Sequence, residues 1–292
     1  MKVLIIGSNG QIGWELARQV IHTKLKFVAL NRQQLDITDR SAVQKALHQH
    51  NPGIIINATA YTAVDRAESE PETAFGVNYY GVGNLADICA ANSIVLIHIS
   101  TDYVFDGSKI GSYVEDDPVK PLGIYGQSKL KGEEEVRRLV DRHIILRTSW
   151  VFGVHGHNFV KAIINKAKEN KTLSIVNDQF GGPTPAGLVA SVILKICEKV
   201  EGENVIWGTY HLSGLPHTTW YEFAKEVIKS AKQSQILQPD ILVKPVSTSH
   251  YKTIVRRPVN SRLSNEKIRA AFQIENFSYT SSIERVIYHL TK

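Results

Sequence analysis

Apolar and polar positions alternate in blocks along the first half of the chain. The apolar run over 3–6 suits a strand buried on both faces, and strand-like runs follow over 27–30, 54–57, 94–99 and 144–147. Between them, apolar residues recur at helical spacing over 11–21, 41–50, 72–91 and 128–140. Strands alternating with helices predict an α/β fold with a doubly wound parallel sheet, occupying residues 1–150. After Trp150 the pattern changes. The stretches 153–158 and 178–185 are irregular and rich in turn residues, and amphipathic helices are predicted over 159–169, 187–199 and 219–232. Residues 151–292 are read as a smaller carboxyl-terminal lobe, mainly for substrate, in which a strand candidate at 209–212 offers a route back to the main sheet.

Polar residues gather where the predicted strands end, at 57–62, 100–102 and 148–150. In an open parallel sheet the ligand crevice lies outside the carboxyl ends of the strands, so chemistry is expected there. The first strand runs into Gly7, Gly10 and Gly13, with Gln11 and Ile12 inside the turn that opens the next helix. Glycines let backbone approach a pyrophosphate held on the helix's free N–H groups, which is the Rossmann-like dinucleotide turn. The spacing is G-x-x-G-x-x-G, not G-x-G-x-x-G, and glycine turns also follow strands without binding anything. Farther on, Tyr125 and Lys129 stand four apart, on one face of a helix. A phenol is a poor acid at pH 7, and a nearby ammonium favours the phenolate, so the tyrosine is expected to give and recover a proton near neutrality. Such pairs are common by chance. Beside a glycine turn, the pair is a strong signal.

The second strand ends at Asn31-Arg32. An NAD-selective site places a carboxylate there, on the ribose 2′-hydroxyl. Asn31 lacks that charge and Arg32 suits a 2′-phosphate, which predicts NADPH over NADH, unless Arg32 merely faces solvent.

Composition narrows the class. Hydrophobic residues at 43% and charged residues at 21% are ordinary for a globular protein. The net charge of +6 is mostly dispersed among acidic neighbours, which argues against a nucleic-acid partner. One tight basic cluster, Arg256-Arg257-Pro258 followed by Arg262, suits either a phosphate-bearing small molecule or a solvated loop. Cys89 and Cys197 fall in helical segments and read as buried free thiols of a reducing compartment. With neither a signal-peptide pattern nor a membrane-spanning run, a cytoplasmic protein is expected. His155 and His157 lack a third ligand at metal spacing, and no metal site is predicted.

The glycine turn, the Ser-Thr-Asp strand end and Tyr-x-x-x-Lys, in this order, resemble an extended short-chain dehydrogenase/reductase. Longer stretches are similar to dTDP-4-dehydrorhamnose reductases: INATAYTAVDRAESEP at 56–71, HISTDYVFDG at 98–107, LRTSWVF at 146–152, NDQFGGPT at 177–184 and RRPVNSRL at 256–263. The resemblance implies reduction, by NAD(P)H, of the 4-keto group of dTDP-4-dehydro-L-rhamnose for surface polysaccharide. It implies a cofactor site that includes Asp36 and Ile37 at the adenine and Ala60, Tyr61 and Thr62 at the third strand end. Tyr125 then protonates the alkoxide, Lys129 holds the nicotinamide ribose, and Thr101 bonds the keto oxygen. Asp102, Trp150, Asn158, Arg257 and Arg262 are assigned to the dTDP-sugar. Asp102 equally suits a loop cap, and Trp150 a core position. Tyr103 replaces the second carboxylate of the related 4,6-dehydratases, which argues against dehydration. A non-catalytic regulatory subunit of methionine adenosyltransferase shares the fold and is the alternative, as is a reductase of another nucleotide-linked keto sugar. Some relatives dimerise through magnesium held by glutamates. Here Gly187 and Leu188 stand where such an acid is needed and the last helix offers only Glu284, so monomer and homodimer both stay open.

Overall fold

The computed structural model describes residues 1–200, 205–251, 253–275 and 277–291. Its first half contains β1 (Lys2–Ile6), α1 (Gln11–Val20), β2 (Lys26–Leu30), α2 (Arg40–His50), β3 (Ile54–Asn57), α3 (Val64–Ala67), α4 (Pro71–Phe75), α5 (Val82–Ala91), β4 (Val95–Thr101), α6 (Ile124–Leu139) and β5 (His143–Thr148). The second half contains β6 (Val151–Phe152), α7 (Phe159–Glu169), β7 (Thr172–Val176), β8 (Phe180–Gly181), β9 (Thr184–Pro185), α8 (Ala186–Val200), β10 (Gly208–Leu212), β11 (Thr218–Thr219), α9 (Trp220–Gln233), β12 (Leu242–Val246), α10 (Glu266–Phe272) and α11 (Thr280–Leu290).

Six strands form one parallel sheet in the order β10-β5-β4-β3-β1-β2. The apolar runs are continuous because both faces are covered. Val3 and Ile5 of β1 pack with Leu16, Val189 and Ile193, whereas Leu4 and Ile6 pack with Val43, Leu85 and Val136. The chain leaves β1 for β2 on one side and returns to β3 on the other, and this reversal opens the crevice. The run at 209–212 joins the sheet as β10, with His211 opposite Arg147 of β5, and α8 packs in the core that holds α1. A second core, separate from the sheet, gathers Phe152, Ile163, Phe223, Val227, Tyr279 and Ile283 from β6, α7, α9 and α11. Among the described residues no helix is long and apolar enough to cross a membrane.

Two helices differ from their sequence pattern, and both differences have tertiary causes. α6 starts at Ile124, four residues before the periodic run, because Glu68 Oε1 accepts from the Ile124 amide at 2.7 Å and caps the helix from a distant segment. Ser128 is therefore inside the helix, where its hydroxyl donates to the Tyr125 carbonyl. The single helix expected over 72–91 is broken into α4, a π-helical segment Gly76–Gly81, and α5. That wider turn carries Asn78, whose Oδ1 accepts from Tyr61 N (2.9 Å) and whose Nδ2 donates to Tyr61 O (3.0 Å) and Ser128 Oγ (3.0 Å). π-Turns interrupt helices where a side chain is needed out of register, and this one ties the third strand end to α6.

Gly132 of α6 lies directly against this turn: a Cβ there would sit 2.2 Å from the Asn78 carbonyl oxygen. Gly132→Ala is expected to cost about 1–3 kcal/mol through overpacking, despite alanine's better helix propensity. Thermal unfolding followed by circular dichroism checks it: Tm falls by several degrees, and an unchanged Tm refutes the packing.

Candidate active site

A cleft of about 570 Å³ opens at the carboxyl ends of β1, β3, β4 and β5. Its floor at one end is the glycine turn. Gly7, at φ +89°, donates to the Leu30 carbonyl, and a Cβ on Gly13 would fall 2.1 Å from Gly7 O, so the turn and α1 touch backbone to backbone. No side chain caps α1 at Gly10. Gly10, Gln11 and Ile12 line the cleft, so an uncapped helix start faces it and fits an anionic pyrophosphate. Ala60 and Thr62 line it as well, whereas Tyr61 does not: its hydroxyl donates to Glu70 Oε2 at 2.7 Å.

The predicted adenine-side residues stand beyond the lined cleft. Asn31 Oδ1 accepts from the Gln33 and Gln34 amides. Arg32 is 77% exposed and lies 3.4 Å from Asp36 Oδ2. Burial raises the Asp36 carboxyl, but bonds from Thr38 and the Arg32 charge bring it below its ordinary value. Ile37 is a core residue.

At the other end Thr101, Asp102, Tyr125, Lys129 and Trp150 line one wall. Asp102 Oδ1 accepts from the Thr101 hydroxyl at 3.1 Å, whereas its Oδ2 and the Thr148 hydroxyl are buried without a hydrogen-bond partner. Burial pushes the Asp102 carboxyl up to about 6, against bonds from Ser261 and Thr101. Lys129 is buried; its Nζ donates to the Ile99 carbonyl at 2.7 Å and lies 3.4 Å from His98 Nε2. Burial lowers its amine to about 8, with Glu133 opposing.

The Tyr125 phenol departs from expectation. Burial raises its pKa, the Thr101 hydroxyl opposes this, and Asp102 and Tyr103 add to the rise. The ammonium that was to favour the phenolate points instead at the Ile99 carbonyl. Trp150 is partly buried. It borders the cleft, and its ring stacks on Trp220 at 3.5 Å. Its backbone sits at φ +47°, a left-handed conformation rare for a bulky residue and found where surroundings enforce it.

The remaining substrate candidates are drawn into internal contacts. Asn158 caps α7 by accepting from Lys161 N, and its Nδ2 donates to Gln11 Oε1 at 3.1 Å, so it joins the start of α7 to the glycine turn. Arg257 pairs with Asp65 at 2.8 Å, lies 3.4 Å from the Tyr103 hydroxyl, and keeps its Nε buried without a partner. Arg262 donates to Asn260 Oδ1 at 2.7 Å and covers the Phe180 ring. Arg257 and Arg262 thus belong to different contacts. His155 stacks on Trp14 and its Nε2 lies 2.9 Å from the Asn9 carbonyl, while His157 lines the cleft. The described residues bring together no group of three His, Cys, Asp or Glu side chains able to hold a metal, and Glu15, beside Gly187, is paired with Arg18 and Arg285.

The family model described as the RmlD substrate binding domain matches residues 1–292. The chain belongs to the RmlD family. Among the RmlD relatives, the dTDP-4-dehydrorhamnose reductase of Aggregatibacter actinomycetemcomitans is 41% identical over 287 residues, covering 98% of each chain. The dTDP-4-dehydrorhamnose reductase structure from Clostridium acetobutylicum superposes with a TM-score of 0.91 at 34% identity, covering 100% of both chains. That of Bacillus anthracis, solved in complex with NADP, gives 0.90 at 34% identity, covering 98% of both.

Several contacts within this site were not anticipated from the sequence. Tyr103 packs edge-on against Tyr125 at 5.6 Å and joins it to Arg257. His98 and Asn57 lie beneath Lys129. Their signal was present in the sequence: Asn57 ends an apolar run, and His98 interrupts one between Ile97 and Ile99. Next to them, Glu133 is buried between Arg147 (2.7 Å), Arg137 (3.0 Å) and Ser100 (2.5 Å). Burial alone raises this carboxyl, but Arg147 and the hydrogen bonds outweigh it and hold it at about 2.

A carboxyl lowered from 4.5 in the unfolded chain to about 2 adds stability above the unfolded value and loses it as pH falls through the folded one. Glu133→Gln strands Arg147 and is expected to cost about 3–5 kcal/mol at pH 7. Its Tm deficit should shrink steadily from pH 4.5 downward. A deficit constant across that window excludes the ion pair as its cause.

Proposed function

We propose that the protein reduces the 4-keto group of a dTDP-linked deoxysugar, dTDP-4-dehydro-L-rhamnose, to give dTDP-L-rhamnose for surface polysaccharide. One observation carries the reading: Thr101, Tyr125 and Lys129 share a single cleft with the glycine turn, in a chain that matches reductases over its full length. NADPH, with its pyrophosphate held at that turn, would supply the hydride from its reduced nicotinamide at the Tyr125 end of the cleft. Everything else falls to the protein. The Thr101 hydroxyl bonds the keto oxygen and orients it. Tyr125 gives its proton to the oxygen as negative charge develops there; a phenol raised by burial is fully protonated at neutral pH, which is the form a reduction consumes. Lys129 holds the cofactor ribose and supplies positive charge near that oxygen. Asp102, ionised above about pH 6, accepts from a sugar hydroxyl with its unpartnered Oδ2. Trp150 presents a flat face to the sugar, Asn158 fixes Gln11 at the turn, and Arg257 and Arg262 serve the diphosphate.

On this reading residues 1–150 bind the dinucleotide and carry the catalytic residues, and residues 151–292 mainly shape the sugar side. The reductase names of full-length relatives favour catalysis over the regulatory-subunit reading. The reading places a monomer or homodimer in the cytoplasm, with a nucleotide sugar and neither nucleic acid nor membrane as partner. The thiols of Cys89 and Cys197, buried and pushed up to about 12, suit a reducing compartment.

Purified protein is expected to oxidise NADPH only when dTDP-4-dehydro-L-rhamnose is present, and Tyr125→Phe to lower kcat at least about a hundredfold. A near-normal rate in that variant removes Tyr125 as the acid.

The cofactor preference has its own test. Arg32 is held only by an exposed pair with Asp36, which contributes little and leaves the guanidinium available to a 2′-phosphate. NADPH should exceed NADH in kcat/KM, and Arg32→Ala should reduce that ratio about tenfold, as expected for one charge-assisted contact. A ratio near one, unmoved by the substitution, means that Arg32 never meets the phosphate.

A further inference from the structure

Beneath Lys129 runs a polar chain that the proposed reaction leaves unused. His98 of β4 and Asn57 of β3 are register partners on adjacent strands, and neither exposes any surface. Asn57 Oδ1 accepts from the Thr59 amide at 3.1 Å and from the Thr59 hydroxyl at 2.6 Å. A backbone N–H can only donate, so this contact fixes which end of the Asn57 carboxamide is oxygen. The amide nitrogen then faces His98 Nδ1 at 3.1 Å and donates to it. A neutral imidazole has one N–H; with Nδ1 accepting, the proton sits on Nε2, which lies 3.4 Å from Lys129 Nζ.

The protonation state of Lys129 decides whether that contact is favourable. An ammonium has three donors and no lone pair, so it meets Nε2–H donor to donor. A neutral amine accepts from Nε2–H and still donates to the Ile99 carbonyl. We infer that His98, locked as its Nε2–H tautomer by Asn57 and Thr59, is a positioning residue that favours the neutral amine of Lys129 and so sets the pH at which Lys129 titrates.

The other groups around Lys129 leave this role to His98. On α6, Glu133 is already held by Arg147 of β5, Arg137 and Ser100, and Tyr125 is a protonated phenol. After β4 come Asp102 and Tyr103, the former bonded by Thr101. In the π-helical segment the buried Asn78 is a neutral amide turned to Tyr61 and Ser128, while Tyr79 packs on the exposed Tyr80. In keeping with the geometry, burial and the Lys129 charge keep His98 well below its ordinary pKa, and hence neutral.

This inference assumes the Lys129 role proposed above, but its test needs no turnover. Nitrogen-15 NMR of histidine-labelled full-length protein, with the His98 signals assigned by their loss in His98→Gln, should show a neutral Nε2–H ring from pH 6 to 8. Asn57→Asp keeps the oxygen that Thr59 needs and places a second oxygen against Nδ1, which inverts the tautomer and turns Nε2 into an acceptor for the ammonium. The Lys129 midpoint, read from lysine carbon-13 labelled at Cε, should then rise by about one pH unit or more. A wild-type ring found as Nδ1–H or imidazolium overturns the inference, and so does an inverted tautomer that leaves the Lys129 midpoint in place. If Asn57→Asp fails to fold, the wild-type tautomer decides alone.

Discussion

A parallel sheet covered on both faces leaves no wet surface along its strands, and the placement of every polar group follows from that constraint. β3 is apolar up to Asn57, and β4 and β5 end in the polar residues Thr101 and Thr148. Only there does the packing release the chain, and only there does a cleft open. Polar residues placed deeper must find partners within the protein, because an unpaired buried charge costs several kcal/mol. His98 meets Asn57 and Lys129, and Glu133 meets Arg147; these two sets of contacts adjoin in the layer between the sheet and α6. The same burial that makes the sheet stable thus shifts the site's acids and bases away from their values in water.

The second half of the chain bears on this layer through backbone geometry. Trp150, immediately after β5, is held at positive φ between Trp220 and the β8 backbone, where a Cβ on Gly181 would lie 2.3 Å from its ring. Asn158 and Gln11 tie α7 to the glycine turn at the opposite end of the cleft. Val151, Gly156 and His157 from the second half line the cleft together with residues of the first.

Much of this was readable in the residues. Continuous apolar runs located the strands of the sheet, the glycines located its first turn, and four-residue spacing placed Tyr125 and Lys129 on one helix. What escaped depended on contacts between distant segments. The early start of α6 rests on Glu68, and the π-helical turn rests on Asn78 reaching Tyr61 and Ser128; neither leaves a periodic trace. Spacing also misjudged Tyr125. It put the lysine on the same face of the helix, but the direction of the ammonium is set by the Ile99 carbonyl beneath it. Arg257 and Arg262 look like one cluster in the sequence, yet bond to Asp65 and Asn260 respectively.

The late return of the chain to the sheet has a consequence during synthesis. α8 and β10, from the final third, cover a face shared by β1, β3 and α1 and close the β5 edge. While a ribosome has released only the first half, that face is bare and β5 presents unpaired backbone groups to other chains. The interval until residue 212 emerges is therefore when the nascent polypeptide is most prone to aggregate and most in need of a chaperone, although its glycine turn and first four strands are already complete.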